Sequence, residues 1–145
     1  MNKETQTTFL KQEEESKYFT PEISDIHVGY EYEHLNSETN KWEKTKIINA
    51  KMLSYFMYET NKIISTVTRV PYLTKEQIEA EGWEQRGKGN NGGVTYGYYN
   101  KNDSNICTWE NSTKIEIQES EGNILFHGEC KDINTFRKII KLLGI

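Results

Sequence analysis

Long hydrophobic runs are missing from this chain. Pairs such as Ile47-Ile48 and Leu142-Leu143 are its longest purely aliphatic stretches of note, far short of the roughly 20 apolar residues that span a bilayer. Met1–Leu10 also lacks the apolar segment of a signal peptide, so a cytoplasmic location is expected. Cysteine is scarce too. Cys107 and Cys130 stand alone, with no CxxC and no ligand-spaced histidines, which leaves no signal for a zinc site or a redox motif. Both fall in candidate strands and read as small buried or half-buried residues. A surplus of positive charge is absent as well: 18 basic against 22 acidic residues give a formal net charge of -4. A general binder of nucleic-acid backbones needs clustered cations, so that class is disfavoured.

Proline and alanine are nearly absent, at two each. Lysine outnumbers arginine 15 to 3, and Asn, Ile and Tyr are plentiful. These are residues with AT-rich codons, so the bias speaks of the gene's base composition and not of the protein's chemistry. At 145 residues, 34% hydrophobic and a mean hydropathy of -0.83, the chain has the length of one ordinary domain with an economical core.

Residues 1–22 are polar and charged without a sustained period, and read as a flexible arm whose Phe9-Leu10 and Tyr18-Phe19 pairs could dock elsewhere. From His27 to His34 the sequence alternates. This places Val28, Tyr30 and Tyr32 on one strand face and His27, Glu31 and Glu33 on the other. The turn Asn36–Asn40 and the segment Lys41–Ile48 complete a hairpin, with Trp42 as its cross-strand aromatic. Ala50–Thr60 permits a helix or a strand, and a short helix is favoured. The β-branched run Ile63–Pro71 reads as a strand ended by its proline. Thr74 and Gln77 form a capping box for a short helix that stops at Gly82.

Five short strands then follow, at Trp83–Arg86, Val94–Asn100, Ile106–Asn111, Lys114–Glu119 and Ile124–Cys130, separated by Gly- and Asn-rich turns. Asp132 caps a final helix with Ile133, Phe136, Ile139, Ile140 and Leu143 on one stripe and Gly144 at its end. The expected architecture is a single α+β domain over residues 23–145. It is a mainly antiparallel sheet of five to eight short strands, covered by the C-terminal amphipathic helix and short middle helices.

Gly87-Lys-Gly-Asn-Asn-Gly92-Gly-Val94 fits the glycine-rich loop of kinases literally. No catalytic-loop or metal-binding motif accompanies it, and 145 residues cannot hold a kinase. It reads as a hairpin tip, and its amides with Lys88, Gly89 and Gly92 could alternatively cradle a phosphate. Tyr96, Tyr98 and Tyr99, with Trp83 and Trp109, lie on consecutive strands and could form a stacking platform for bases, sugars or a protein partner if the face opposite the last helix is open, with Tyr96, Tyr98 and Trp109 as the binding residues. His27, Glu31 and Glu33 share a polar face, where a solvated role is the first reading and paired-carboxylate catalysis a remote one. No catalytic residue, metal ligand or cofactor is assigned.

Asp25–Glu33, Val70–Trp83 and a closing helix ending in Leu142-Leu143-Gly144-Ile145 together resemble small proteins encoded by phages and mobile elements of gut bacteria. The resemblance implies an accessory gene of phage or prophage origin and carries over no catalytic residue. The function expected is that of a non-enzymatic protein that binds a host or phage macromolecule through its sheet face or N-terminal arm. The alternative is a protein that sequesters a small nucleotide at Lys88 and the nearby tyrosines, as a counter-defence sponge. Self-association is compatible with either.

Overall fold

The structure is a computed structural model that describes residues 16–145, and of residues 59–66 the backbone alone. Among the described residues the protein is α+β, with two antiparallel sheets rather than one and a C-terminal helix. Internal packing divides the chain between Tyr72 and Leu73 into two compact units. The stretch 23–145, expected as one domain, therefore holds two packing units, and each is described by itself.

In the first unit, β1 (Tyr18–Phe19), β2 (Glu31–Asn36), β3 (Lys41–Lys46) and β4 (Thr68–Pro71) form a sheet in the order β1-β4-β2-β3, flanked by α1 (Ala50–Val67). Of the expected arm over 1–22, residues 1–15, including Phe9 and Leu10, lie outside the described residues, while Tyr18 and Phe19 pair with Pro71 and Val70. Asn49 starts α1 by accepting a hydrogen bond from the Met52 amide at 2.9 Å. Met52, Leu53 and Phe56 pack on Tyr30, Tyr32, Ile47 and Val70. The helix continues to Val67, so the strand expected over Ile63–Pro71 is real only from Thr68. An established helix propagates through β-branched residues at a few tenths of a kcal/mol each, and the strand begins where β2 offers a partner, at Thr68 opposite His34.

In the second unit, α2 (Lys75–Ala80) begins at the Thr74–Gln77 capping box, with both reciprocal hydrogen bonds made. A five-stranded meander follows: β5 (Glu84–Asn91), β6 (Val94–Lys101), β7 (Ser104–Trp109), β8 (Lys114–Glu119) and β9 (Ile124–Glu129), paired in chain order. Asp132 caps α3 (Ile133–Leu143) through the amides of Asn134 and Thr135, and Gly144 closes it in the left-handed conformation that glycine adopts without penalty. The apolar stripe of α3, with Ile78 and Trp83, covers one face of the sheet. Tyr99, Ile106, Ile115 and Ile117 point from that face into the core. Among the described residues no helix is long and apolar enough to cross a membrane.

Candidate functional site: the uncovered face of the second sheet

Side chains two residues apart share a sheet face. Since Tyr99, Ile106, Ile115 and Ile117 face α3, the intervening residues face away from it. Across β6, β7, β8 and β9 the pairing aligns Tyr98, Cys107, Glu116 and His127 in one row, with Tyr96 opposite Trp109 in the next. No element of the second unit lies over this face, and Tyr96, Tyr98, Cys107 and Trp109 are half-buried on it. Tyr96, Cys107 and Trp109, with Asn91 and Val94, line an open depression of about 400 Å³. Of the aromatics grouped from the sequence, Tyr96, Tyr98 and Trp109 lie on this face, whereas Trp83 and Tyr99 are buried on the other, against α3.

The glycine-rich stretch forms a hairpin, its first reading from the sequence. Strand β5 extends through it to Asn91, so the tip is only Gly92-Gly93, both at positive φ (61° and 86°), as a two-residue hairpin turn requires. Gly89 pairs with Tyr96, and a Cβ there would collide with the Tyr96 ring. Gly89 is the seat of that ring. Lys88 sits opposite Gly97, in the row of Thr108 and Ile115, and so on the face that carries α3. The grouping of Lys88 with Tyr96, Tyr98 and Trp109 is therefore divided by the sheet itself.

Of His27, Glu31 and Glu33, the two carboxylates keep a common face of β2 and His27 leaves it. Strand β2 starts only at Glu31, after a turn at Gly29 (φ 95°). His27 lies outside the strand, its ring edge-on to Tyr30 at 5.6 Å. Lys46 approaches Glu31 at 3.4 Å, and Arg69 holds Glu33 at 2.8 Å. Glu33 is 8% exposed, a buried partner and not a solvated carboxylate. The Arg69 guanidinium lies between two rings, 3.6 Å from the centroid of Tyr18 and 4.2 Å from that of Trp42. Trp42 faces Leu35 across the hairpin, so its ring serves the cation instead of a second aromatic.

Glu116 and His127 were legible only as ordinary strand residues. The structure joins them: His127 Nδ1 donates to Glu116 Oε2 at 3.0 Å, and the His127 ring lies 6.0 Å from that of Trp109. Gln118 also donates to Glu116. These two hydrogen bonds hold the Glu116 carboxyl below the usual carboxylate range, so it is ionised at neutral pH. Strict parity counted outward from Ile115 and Ile117 would have predicted that Glu116 shares a face with Cys107 and His127.

A Cys, a Glu and a His in one row invite comparison with a nucleophile and its base. The order defeats it. Glu116 separates Cys107 from His127 by two strand spacings, about 9–10 Å, where activation needs direct hydrogen-bond reach. Burial, with the Glu116 charge adding, pushes the Cys107 thiol up. Burial, with Asp132 adding, pushes Cys130 up to about 12. Both cysteines are free. Iodoacetamide at pH 8 should label Cys107 slowly and Cys130 only after unfolding, a difference that peptide mass spectrometry reads directly. Because the folded pKa of Cys130 is raised, its contribution to stability is intact below the unfolded value of about 8.5 and is lost as pH climbs towards 12. Equal labelling of the two thiols in the native protein would contradict the packing described.

Among the described residues no group of three or more His, Cys, Asp or Glu is placed to hold a metal ion. No family model, curated protein or solved structure matches this chain.

Proposed function

We propose that the chain is a non-enzymatic binding protein, of phage or mobile-element origin, that recognises a host or phage protein through the uncovered face of its second sheet. The observation that carries this reading is the assembly of Tyr96, Tyr98 and Trp109 on the face that α3 leaves open, beside the exposed aliphatic side chain of Val94. Tyrosine and tryptophan in such a cluster are the residues on which protein interfaces most often concentrate their binding energy. The chemistry around them supports recognition without turnover, since the thiol of Cys107 is held neutral and Glu116 is engaged by His127 and Gln118. A nucleotide-sequestering role draws less support: Lys88 is on the other face, and an ionised Glu116 beside the rings repels phosphate.

The test is affinity capture with the full chain from host lysate, followed by binding of the purified partner to variants. Trp109→Ala is expected to weaken binding by about 2 kcal/mol, roughly 30-fold, while Lys88→Ala leaves it unchanged. Equal affinity for wild type and Trp109→Ala, or turnover of any captured molecule, would defeat the proposal.

A further inference from the structure

The tip of the hairpin between β5 and β6 carries the one Asn-Gly step in the chain, Asn91-Gly92. A backbone amide nitrogen can attack the carboxamide of the asparagine before it and close a five-membered ring. The attack requires that no bulky side chain stands in the way, that the amide is not engaged, and that the carboxamide is free to turn. Asparagine precedes Gly, Ser or Ala at Asn36, Asn49, Asn91 and Asn111. All but Asn91 are held. Asn36 Oδ1 accepts from the amides of Glu38 and Thr39 at 2.9 and 3.2 Å, and its Nδ2 donates to Glu43 at 2.8 Å. Asn49 Oδ1 accepts from the Met52 amide at 2.9 Å. After Asn111, the Ser112 amide that would attack donates instead to the Trp109 carbonyl oxygen at 3.2 Å.

Asn91 has none of these restraints. The positive φ values of Gly92 and Gly93 are those of a type I′ turn. In it the Gly93 amide donates to Asn90 Oδ1 at 3.0 Å, whereas the Gly92 amide has no acceptor among the described residues. The Asn91 carboxamide makes no hydrogen bond among them either, and Asn91 and Gly92 are both exposed. Gly92 brings no Cβ to obstruct the ring closure. Closure also needs the last ladder pair, Asn91 with Val94, to open, and an exposed tip opens at far less cost than the sheet as a whole.

We propose that Asn91 is a site of spontaneous modification, deamidating through a succinimide shared with Gly92. The Gly92 nitrogen gives its proton to solvent base and bonds to Asn91 Cγ. The Cγ–Nδ2 bond breaks, and the carboxamide nitrogen takes a proton from solvent and leaves as ammonia. Water then opens the ring. Addition at Cγ leaves aspartate on an unaltered backbone, while addition at the main-chain carbonyl carbon leaves isoaspartate, with the chain running through the former side chain. Asn91 lines the depression with Val94, Tyr96, Cys107 and Trp109, so either product brings a negative charge to its rim. Isoaspartate also adds a methylene to β5, two residues from the Gly89 seat of Tyr96. The modification does not depend on the binding role proposed for that face.

The experiment incubates the native full chain at pH 8, beside a sample held in urea, and follows tryptic peptides by mass spectrometry. The peptide Gly89–Lys101 is expected to gain the mass of a hydroxyl in place of an amide NH2, with fragment ions placing the change at residue 91. It should separate into aspartyl and isoaspartyl forms. In the native sample, conversion at Asn91 should exceed that at Asn36, Asn49 and Asn111 by about tenfold or more. Asn91→Gln, whose longer side chain closes a less favourable ring, should abolish the change in this peptide and leave the others as they were. An unaltered Gly89–Lys101 peptide in the native sample, whether or not it converts in urea, or native conversion at Asn111 equal to that at Asn91, overturns the proposal.

Discussion

Phe136→Ala is expected to bring the second unit to the edge of unfolding, with a loss of about 3–5 kcal/mol in denaturant titrations. Phe136 is wholly buried, and its ring meets that of Trp83 edge-on at a centroid distance of 6.2 Å. The substitution removes the contact that fixes α3 to the start of β5. It also opens a cavity among isoleucines already held on a hydrogen-bonded meander, which limits how far they can collapse. Stabilities of small domains are about 5–15 kcal/mol in total, so the loss consumes most of what the unit has. Leu142→Ala, six residues further along α3 at an exposed position, should change the stability by less than about 0.5 kcal/mol. Similar losses in the two variants would mean that α3 does not cover the sheet as described.

The second large effect belongs to the first unit. Arg69→Met should cost about 3 kcal/mol or more, since it leaves the buried Glu33 carboxylate without its counter-charge and withdraws the cation from between Tyr18 and Trp42. A buried ion pair contributes little beyond well-packed apolar residues, whereas half of one is strongly unfavourable. The double variant Glu33→Met/Arg69→Met should therefore recover much of the loss, and the double-mutant cycle reports that coupling directly. If Arg69→Met alone costs under about 1 kcal/mol, the pair is solvated and the sandwich is incidental.

Much of the second unit was legible from local chemistry. Asp132 and Gly144 mark the ends of α3, Thr74 and Gln77 mark the start of α2, and the turns between strands carry the glycines and asparagines that such turns demand. These features depend on residues close in sequence, so a sequence displays them. What failed depended on partners far away. Ile63–Val67 has strand-forming residues but continues a helix, because pairing with β2 begins only at Thr68. Glu33 looked solvated because its partner, Arg69, lies 36 residues on. The alternation from His27 appeared to cross Gly29 unbroken, although that glycine turns the chain. The division into two sheets has no local signature at all.

For the site, the aromatic residues were found and their company was not. The sequence suggested Tyr96, Tyr98 and Trp109 together, and pairing brings them together, but it also added Tyr99 and Trp83, which the two-residue period and the core claim for the other face. It also suggested Lys88 by proximity along the chain, where the two-residue period of a strand separates what adjacency joins. Cys107, Glu116 and His127 become neighbours through the register of three strands.

The seat that Gly89 provides for Tyr96 has a consequence for how β5 finds its place. A strand with glycine at both 87 and 89 presents few side chains to define its alignment, and such strands are prone to slip by a residue. A shift of one position would set Lys88 or Asn90 under the Tyr96 ring, which would have to swing aside, so the ring acts as a pawl that favours the observed alignment of the outermost strand. Position 88 is left free to vary in charge so long as it keeps a side chain, whereas Asn90 is held by the hydrogen bond it accepts from the Gly93 amide at the turn.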